Sequence, residues 1–513
     1  MAQIGIRNGQ LSVLKSEKPQ GVQRDLEIIT ERDFKHGVIS LGIRLLETAE
    51  LDRNSPFILI TDEDSTSCGI LAAAVRRQCV LVVIDKRRKS LVDYVIQETG
   101  IHSVFVVKHE NKCIQKYPHG CEFVRPDKDA WLHQDPISSC GGIGFLTSGS
   151  LGRPKIVIHS WESVKKQAEI SRQLLLSHIY SEFQLIFCTS IAHAFSFNAL
   201  CTFLAHIDYQ EDHSSPHSSD LVLVAGDYKG LLRLVSKAAS KHPRKHRVLY
   251  GTPGTYTTLL EATESELPLD IDVPFCAGAL LDPKLYMRVS KVFHCRLIQN
   301  YGSTETGVIA CWEAVDASKS AEKEEKVYLT STSAADGDRK TYVGVPIPGV
   351  HVDIDQNLGE LLTQTPYSCI GYVRNQRLDK FESQMYRTGD RSTIEITDRS
   401  DQPRVYLFGR IRPRITVGDS AHRAFYEPLQ LEKILCKHPS VTDALLTSTR
   451  GKSESDILIR IVQDATCTLT VAALKESLIV WLEENRICLP DKSFRLEVVE
   501  NLECSPAGKL IYR

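Results

Sequence analysis

The amino-acid sequence predicts an α/β fold in which parallel sheets are covered by helices, and three observations carry that prediction. Short apolar runs of buried-strand length recur: "FILIT" from Phe57, "CVLVVID" from Cys79, "SVFVV" from Ser103, "LIFCTS" from Leu185 and "LVLVAG" from Leu221. Segments of helical pattern separate them, such as the Ala-rich "CGILAAAVRR" at 68–77, whose composition favours helix. Strand, helix and strand in that order point to crossover connections between parallel strands. The third observation is length: 513 residues exceed what one hydrophobic core usually covers, so at least two domains are expected.

Composition narrows the function classes. Lys and Arg number 62 against 64 acidic residues, a formal net charge of -2, which gives no reason to expect a nucleic-acid partner. The 15 cysteines contain no CxxC pair and their number is odd, so they read as reduced thiols in a cytoplasmic protein. The first twenty residues lack the apolar core of a signal peptide. No uninterrupted apolar run reaches the roughly 18 residues of a membrane span.

Two polar stretches read as solvated loops, "QEDHSSPHSSD" at 210–220 and "DASKSAEKEEK" at 316–326. After Tyr372 the pattern shifts to shorter elements. Residues 409–513 have the size of a separate small unit, which leaves 1–408 as the large one.

The stretch richest in chemistry is "TSGSLGRPK" at 147–155. Gly149 and Gly152 allow consecutive N–H groups to converge on one concavity, Thr147, Ser148 and Ser150 add hydroxyl donors, and Lys155 adds charge. On these residues alone, an anion cradle and a surface turn are equally good readings. The phosphate loop of common NTPases is excluded, since Pro154 precedes the lysine and Ile156 follows it; no third glycine completes a dinucleotide fingerprint.

The stretch resembles the phosphate loop of the adenylate-forming superfamily, which includes acyl-CoA and aryl-CoA synthetases, luciferases and the adenylation domains of nonribosomal peptide synthetases. The match to TSG[ST]TGxPK departs only at Leu151, where a threonine is usual. Further stretches resemble that family's motifs in the family's order: "CAGALL" at 276–281, "NYGSTETG" at 300–307, "VGVPIPGVHVDI" from Val343, "YRTGD" at 386–390, "GRIRPRITVGD" from Gly409 and "SPAGKLIYR" at the C-terminal end. Taken one by one, Glu305 reads as a helix-start carboxylate, Asp390 as a turn residue and Lys509 as a solvated lysine. The ordered set favours the catalytic reading.

The resemblance implies a large N-terminal domain of stacked α/β sheets with a small β-barrel-like sublobe, followed by a small mobile C-terminal α+β domain. It also implies ATP and Mg²⁺ as partners of the site. Glu305 would hold Mg²⁺ and Thr304 would contact phosphate, as suits a hard cation that prefers oxygen. Tyr301 would flank adenine, with backbone from Ala277, Gly278 and Ala279 and from Asn300, Gly302 and Ser303 completing the nucleotide site. Asp390 would accept both ribose hydroxyls, Arg410 would support the sugar and phosphates, and Lys509 would reach the carboxylate and the α-phosphate.

For the acid, the resemblance points to His193, Phe195, Asn198 and Gly307 as pocket residues; His193 would line the pocket or act catalytically by gating the carboxylate's approach, and reads equally well as a core histidine. Amino-acid-activating relatives pair an aspartate with the substrate ammonium. Asn198 stands at that place, which disfavours an α-amino acid and leaves an acyl or aryl carboxylic acid. The hinge motif departs most, with Arg412, Pro413 and Thr416 in place of its usual residues. This leaves CoA, a carrier-protein pantetheine and an amine open as acyl acceptors. Leu151 and the hinge also motivate a nucleotide-binding pseudoenzyme as a third reading.

Overall fold

The computed structural model describes residues 2–7, 10–13, 26–49, 51, 55–62, 64–101, 103–106, 115–116, 142–147, 154–176, 182–212, 218–235, 245–262, 269–294, 297–312, 328, 340–381, 385–397, 400–411, 415–417, 424–426, 428–449, 456–464, 467–485, 487, 489, 494–500 and 502. Among these, the five apolar runs all become strands: Phe57–Thr61, Leu81–Asp85, Val104–Val106, Phe183–Phe187 and Asp220–Leu223. Their parallel neighbours are those the crossover pattern requires. Phe57–Thr61 lies between Leu81–Asp85 and Val104–Val106, and Phe183–Phe187 lies between Asp220–Leu223 and His246–Gly251.

Two large sheets result, one of eight strands and one of fourteen. Continuous apolar runs are needed because the central strands are buried on both faces. In the eight-stranded sheet Phe57, Leu59, Leu81 and Val83 join one core cluster while Ile58, Ile60, Val82 and Ile84 join another. In the larger sheet Leu185, Leu221 and Leu223 join the first of those same clusters, whereas Ile186 and Val222 face a third. The first cluster is therefore a layer shared by both sheets. Filling it are Ser65–Arg77 and Ala194–Asp212, helices apolar enough to be buried almost all round. Each fully buried Leu, Ile or Phe in such a layer contributes about 1.5–3 kcal/mol.

The parallel half of the large sheet ends at Ile298–Ser303, and antiparallel strands continue it through Gly307–Cys311, Thr341–Pro346, Ser400–Arg410, Tyr386–Thr397, Glu360–Gln364 and His351–Ile354. The eight-stranded sheet gains an antiparallel edge from Lys155–Ser160 and Gly371–Arg374. A separate three-stranded sheet, Val441–Thr449, Asp456–Gln463 and Phe494–Val499, packs with helices Pro428–Leu435 and Val471–Glu484 around its own cluster near the C-terminal end.

Two expectations are corrected. Residues 210–212 are the end of helix Ala194–Asp212, with Gln210 buried, and Asp220 begins a buried strand. The polar letters concealed this because burial there is paid in hydrogen bonds, such as those Asp220 receives from Gln184 at 3.1 Å and Lys245 at 2.8 Å. Beyond Tyr372 short strands such as Arg377–Lys380, Ile415–Val417 and Ala424–Tyr426 do occur, but two long ones interrupt them: Tyr386–Thr397 spans 12 residues and Ser400–Arg410 spans 11. Register shifts at Arg391/Ser392 and Ile396/Thr397 absorb the irregular sequence without ending the strands. The expected loop at 316–326 lies outside the described residues.

Candidate active site

The loop at 147–155 is closed by a hairpin. Thr147 ends the strand Gly142–Thr147, Lys155 begins Lys155–Ser160, and the two residues are antiparallel partners. That topology differs from the strand–loop–helix of NTPases. Arg88 reaches the Leu146 carbonyl at 3.4 Å and the Tyr94 hydroxyl donates to the Pro154 carbonyl at 2.6 Å, so both ends of the loop are tied to one neighbouring segment. Ser148, Gly149, Ser150, Leu151 and Gly152 lie outside the described residues, as does Lys509.

A second hairpin, Ile298–Ser303 with Gly307–Cys311, carries Asn300, Tyr301, Gly302 and Ser303 on its first strand and Thr304 and Glu305 in its turn. Only glycine fits at two places. A methyl group on Gly302 would overlap the Gly307 carbonyl, and Gly307 itself has φ +68° with Gln167 and Tyr367 pressed against it. Three successive carbonyls of the turn have three different partners. Buried His159, from the other sheet, meets Thr304 O at 2.6 Å; the Cys369 N–H donates to Glu305 O at 2.7 Å; the Thr365 hydroxyl donates to Thr306 O at 2.8 Å. Burial pulls the His159 pKa below its ordinary value, so its ring is neutral near pH 7 and Nε2–H is the donor.

The two carboxylates are each held by a tyrosine. Tyr301 donates to Asp390 Oδ2 at 2.7 Å, while Arg410 Nε stands 3.3 Å from Oδ1. Asp390 and Arg410 are register partners on adjacent strands. Tyr372 donates to Glu305 Oε1 at 3.1 Å, and the Tyr386 hydroxyl lies 3.4 Å from that of Tyr372. The Lys155 ammonium sits 4.7 Å from the centre of the Tyr372 ring. Burial, reinforced by the neighbouring carboxylates, pushes all three phenols above their usual range, so they remain donors.

The remaining residues surround these. Ala277, Gly278 and Ala279 follow the strand Val273–Cys276, and the Ala277 N–H donates to the Gly251 carbonyl at 3.2 Å. His193 precedes helix Ala194–Asp212 and its carbonyl accepts the Phe197 N–H at 2.9 Å. Phe195 packs 5.1 Å from the Tyr250 ring, and buried Asn198 donates its amide to Ser171 at 3.0 Å. Asp85, at the end of its strand, is bonded by Arg87 and by Ser190, which ties the first sheet to the turn before His193. Sequence reading missed His159, Tyr372 and Tyr386 as site residues. Tyr386 alone left a signal, standing in "YRTGD" on the strand that carries Asp390.

Residues 217–373 match the family model described as AMP-binding enzyme. Solved structures of similar shape include an o-succinylbenzoate coenzyme A synthetase from Bacillus subtilis in complex with AMP, at TM-score 0.64 and 16% identity over 94% of this chain and 92% of that one. The chain carries the adenylate-forming fold. An anthranilate CoA ligase in complex with anthranoyl-AMP shares this fold at TM-score 0.59 and 14% identity, covering 92% and 89% of the two chains. So does an amide bond synthetase from Marinactinospora thermotolerans, at TM-score 0.59 and 16% identity over 94% and 93%. Among curated proteins, a probable CoA ligase of Humulus lupulus is 23% identical over 368 residues, 66% of this chain and 54% of that protein. Naringenin synthase of Pestalotiopsis fici is 25% identical over 248 residues, 44% of this chain and 8% of that protein. The chain thus spans about half the length of one of these relatives and far less of the other. No helix of the described residues is long and apolar enough to cross a membrane, and no disulfide joins the described cysteines.

Proposed function

We propose that the chain is an ATP-dependent acid ligase. A carboxylate attacks the α-phosphate of ATP, acyl-AMP forms and pyrophosphate leaves; a thiol of CoA or of a carrier pantetheine then attacks the acyl carbon and AMP departs. One observation carries the reading: two carboxylates, Asp390 and Glu305, are each oriented by a tyrosine within an adenylate-forming fold, with Lys155 beside the tyrosine that holds Glu305. A carboxylate offers about four lone-pair sites. Tyr301 donates to one oxygen and Arg410 stands beside the other, so Asp390 is an oriented, charged acceptor of the kind that would receive both ribose hydroxyls.

In this reading Tyr301 and the backbone of Ala277–279 flank adenine, and Arg410 supports the sugar and phosphates. Thr147, Ser148, Gly149, Ser150, Gly152 and Lys155 grip the β- and γ-phosphates, with Thr304 contacting phosphate as well. His193, Phe195, Asn198 and Gly307 border the acid. The donor set suits Mg²⁺: Glu305 offers one oriented carboxylate, and Mg²⁺ in nucleotide sites typically uses one or two carboxylates plus substrate phosphates. Glu305 would hold that ion, which when bound neutralises phosphate charge. The division into 1–408 and 409–513 belongs to the same reading, with Lys509 reaching the α-phosphate from the smaller part. A second reading, transfer to an amine, draws support from the likeness to the amide bond synthetase.

The test is pyrophosphate release with ATP, Mg²⁺ and a panel of acyl and aryl acids, followed by mass spectrometry with CoA, carrier or amines added. Release with one acid class is expected, and Lys509→Ala should abolish it while leaving ATP binding in place. No release with any acid would overturn both acceptor readings.

A further inference from the structure

Lys155 and Tyr372 meet because of sheet geometry. Tyr372 is the register partner of Val157 on the neighbouring antiparallel strand, and Lys155 is two residues from Val157, hence a diagonal neighbour on the same face. The long lysine side chain crosses that diagonal and rests its ammonium on the ring, 4.7 Å from its centre. At the other end of the same ring the hydroxyl donates to Glu305 at 3.1 Å. A phenol has one proton to give, so the Tyr386 hydroxyl at 3.4 Å can only act as donor to Tyr372. Phe381 packs edge-on against both rings, at 5.1 and 5.4 Å, and limits their rotation.

We infer that Tyr372 is a positioning residue that sets the lysine of the phosphate loop and the carboxylate of the Thr304–Thr306 turn at a fixed separation, with Tyr386 orienting its hydroxyl. The inference rests on the ligase reading for what Lys155 and Glu305 bind. Lys155 lies across the ring face and Glu305 at the hydroxyl, so the two halves of the side chain act on different partners and can be removed separately.

The experiment is calorimetric ATP binding to the full chain, first with chelator and then across a Mg²⁺ titration. Tyr372→Phe keeps the ring and loses the hydroxyl. Metal-free ATP affinity should stay within about twofold of wild type, while the Mg²⁺ concentration that half-restores tight binding should rise about tenfold, as fits loss of a hydrogen bond to a charged group. Tyr372→Leu should show the same Mg²⁺ shift and also weaken metal-free ATP binding about threefold through the lost ring contact. Tyr386→Phe should move the Mg²⁺ midpoint in the same direction by less. An unshifted midpoint in Tyr372→Phe, or equal loss of metal-free binding in Phe and Leu variants that retain wild-type melting temperatures, overturns the positioning role. Wild-type protein that binds no ATP at all would instead overturn the ligase reading, and this one with it.

Discussion

At the scale of single residues, side chains here are defined by the partner that holds them. Asp85 shows this most directly. Burial alone would raise its pKa, but bonds from Arg87 and Ser190 outweigh burial and bring it down to about 2. A carboxylate depressed in the folded state adds stability above its unfolded pKa and loses it as pH falls toward the folded value. Asp85→Asn should therefore be less stable than wild type at pH 7, by up to roughly 2 kcal/mol. Urea unfolding at pH 7, 4 and 2.5 should show that gap narrow as pH falls from 4 to 2.5; a constant gap would refute the linkage. In the sequence Asp85 reads as the polar end of an apolar strand. Nothing there announces Ser190 as its partner, because the two meet only when the two sheets share a core layer.

At the scale of elements, the hairpin Ile298–Ser303 with Gly307–Cys311 is the part on which the candidate site depends. Its shape follows from two glycines and from donors on two other segments. Gly302→Ala would place a methyl against the Gly307 backbone, which cannot swing away as a flexible side chain could. The expected cost is about 3 kcal/mol or more, within the range of overpacking and backbone strain. Thermal unfolding measures it, and a change below about 0.5 kcal/mol, the size of an ordinary surface substitution, would show that the hairpin is looser than its contacts imply. The motif "YGSTETG" made this element legible as a unit with Glu305 in its turn. The grip of His159, Cys369 and Thr365 on its carbonyls was not legible, since backbone acceptors leave no mark in the sequence.

At the scale of the whole molecule, the described residues form two large sheets around a shared helical layer and a three-stranded sheet with a core of its own. Leu431, Leu446, Ile459, Leu474 and Leu478 belong to that separate core. Leu478→Ala should cost about 2–5 kcal/mol there. Calorimetry should show the loss as a lower transition for the C-terminal sheet alone, with the main transition unmoved; a shift of a single common transition would mean that the two cores unfold as one. By itself the sequence determined the α/β class, the five central strands and the order of the chemical motifs, because double-sided burial demands continuous apolar runs and short motifs are local in the chain. Only the tertiary structure decided which motifs touch. Tyr301 pairs with Asp390, and Tyr372 joins Lys155 to Glu305, through sheet register and the meeting of two sheets. Register depends on which face each strand buries and on the turns that join neighbours, and for strands far apart in the chain the neighbour itself is chosen only in the folded molecule.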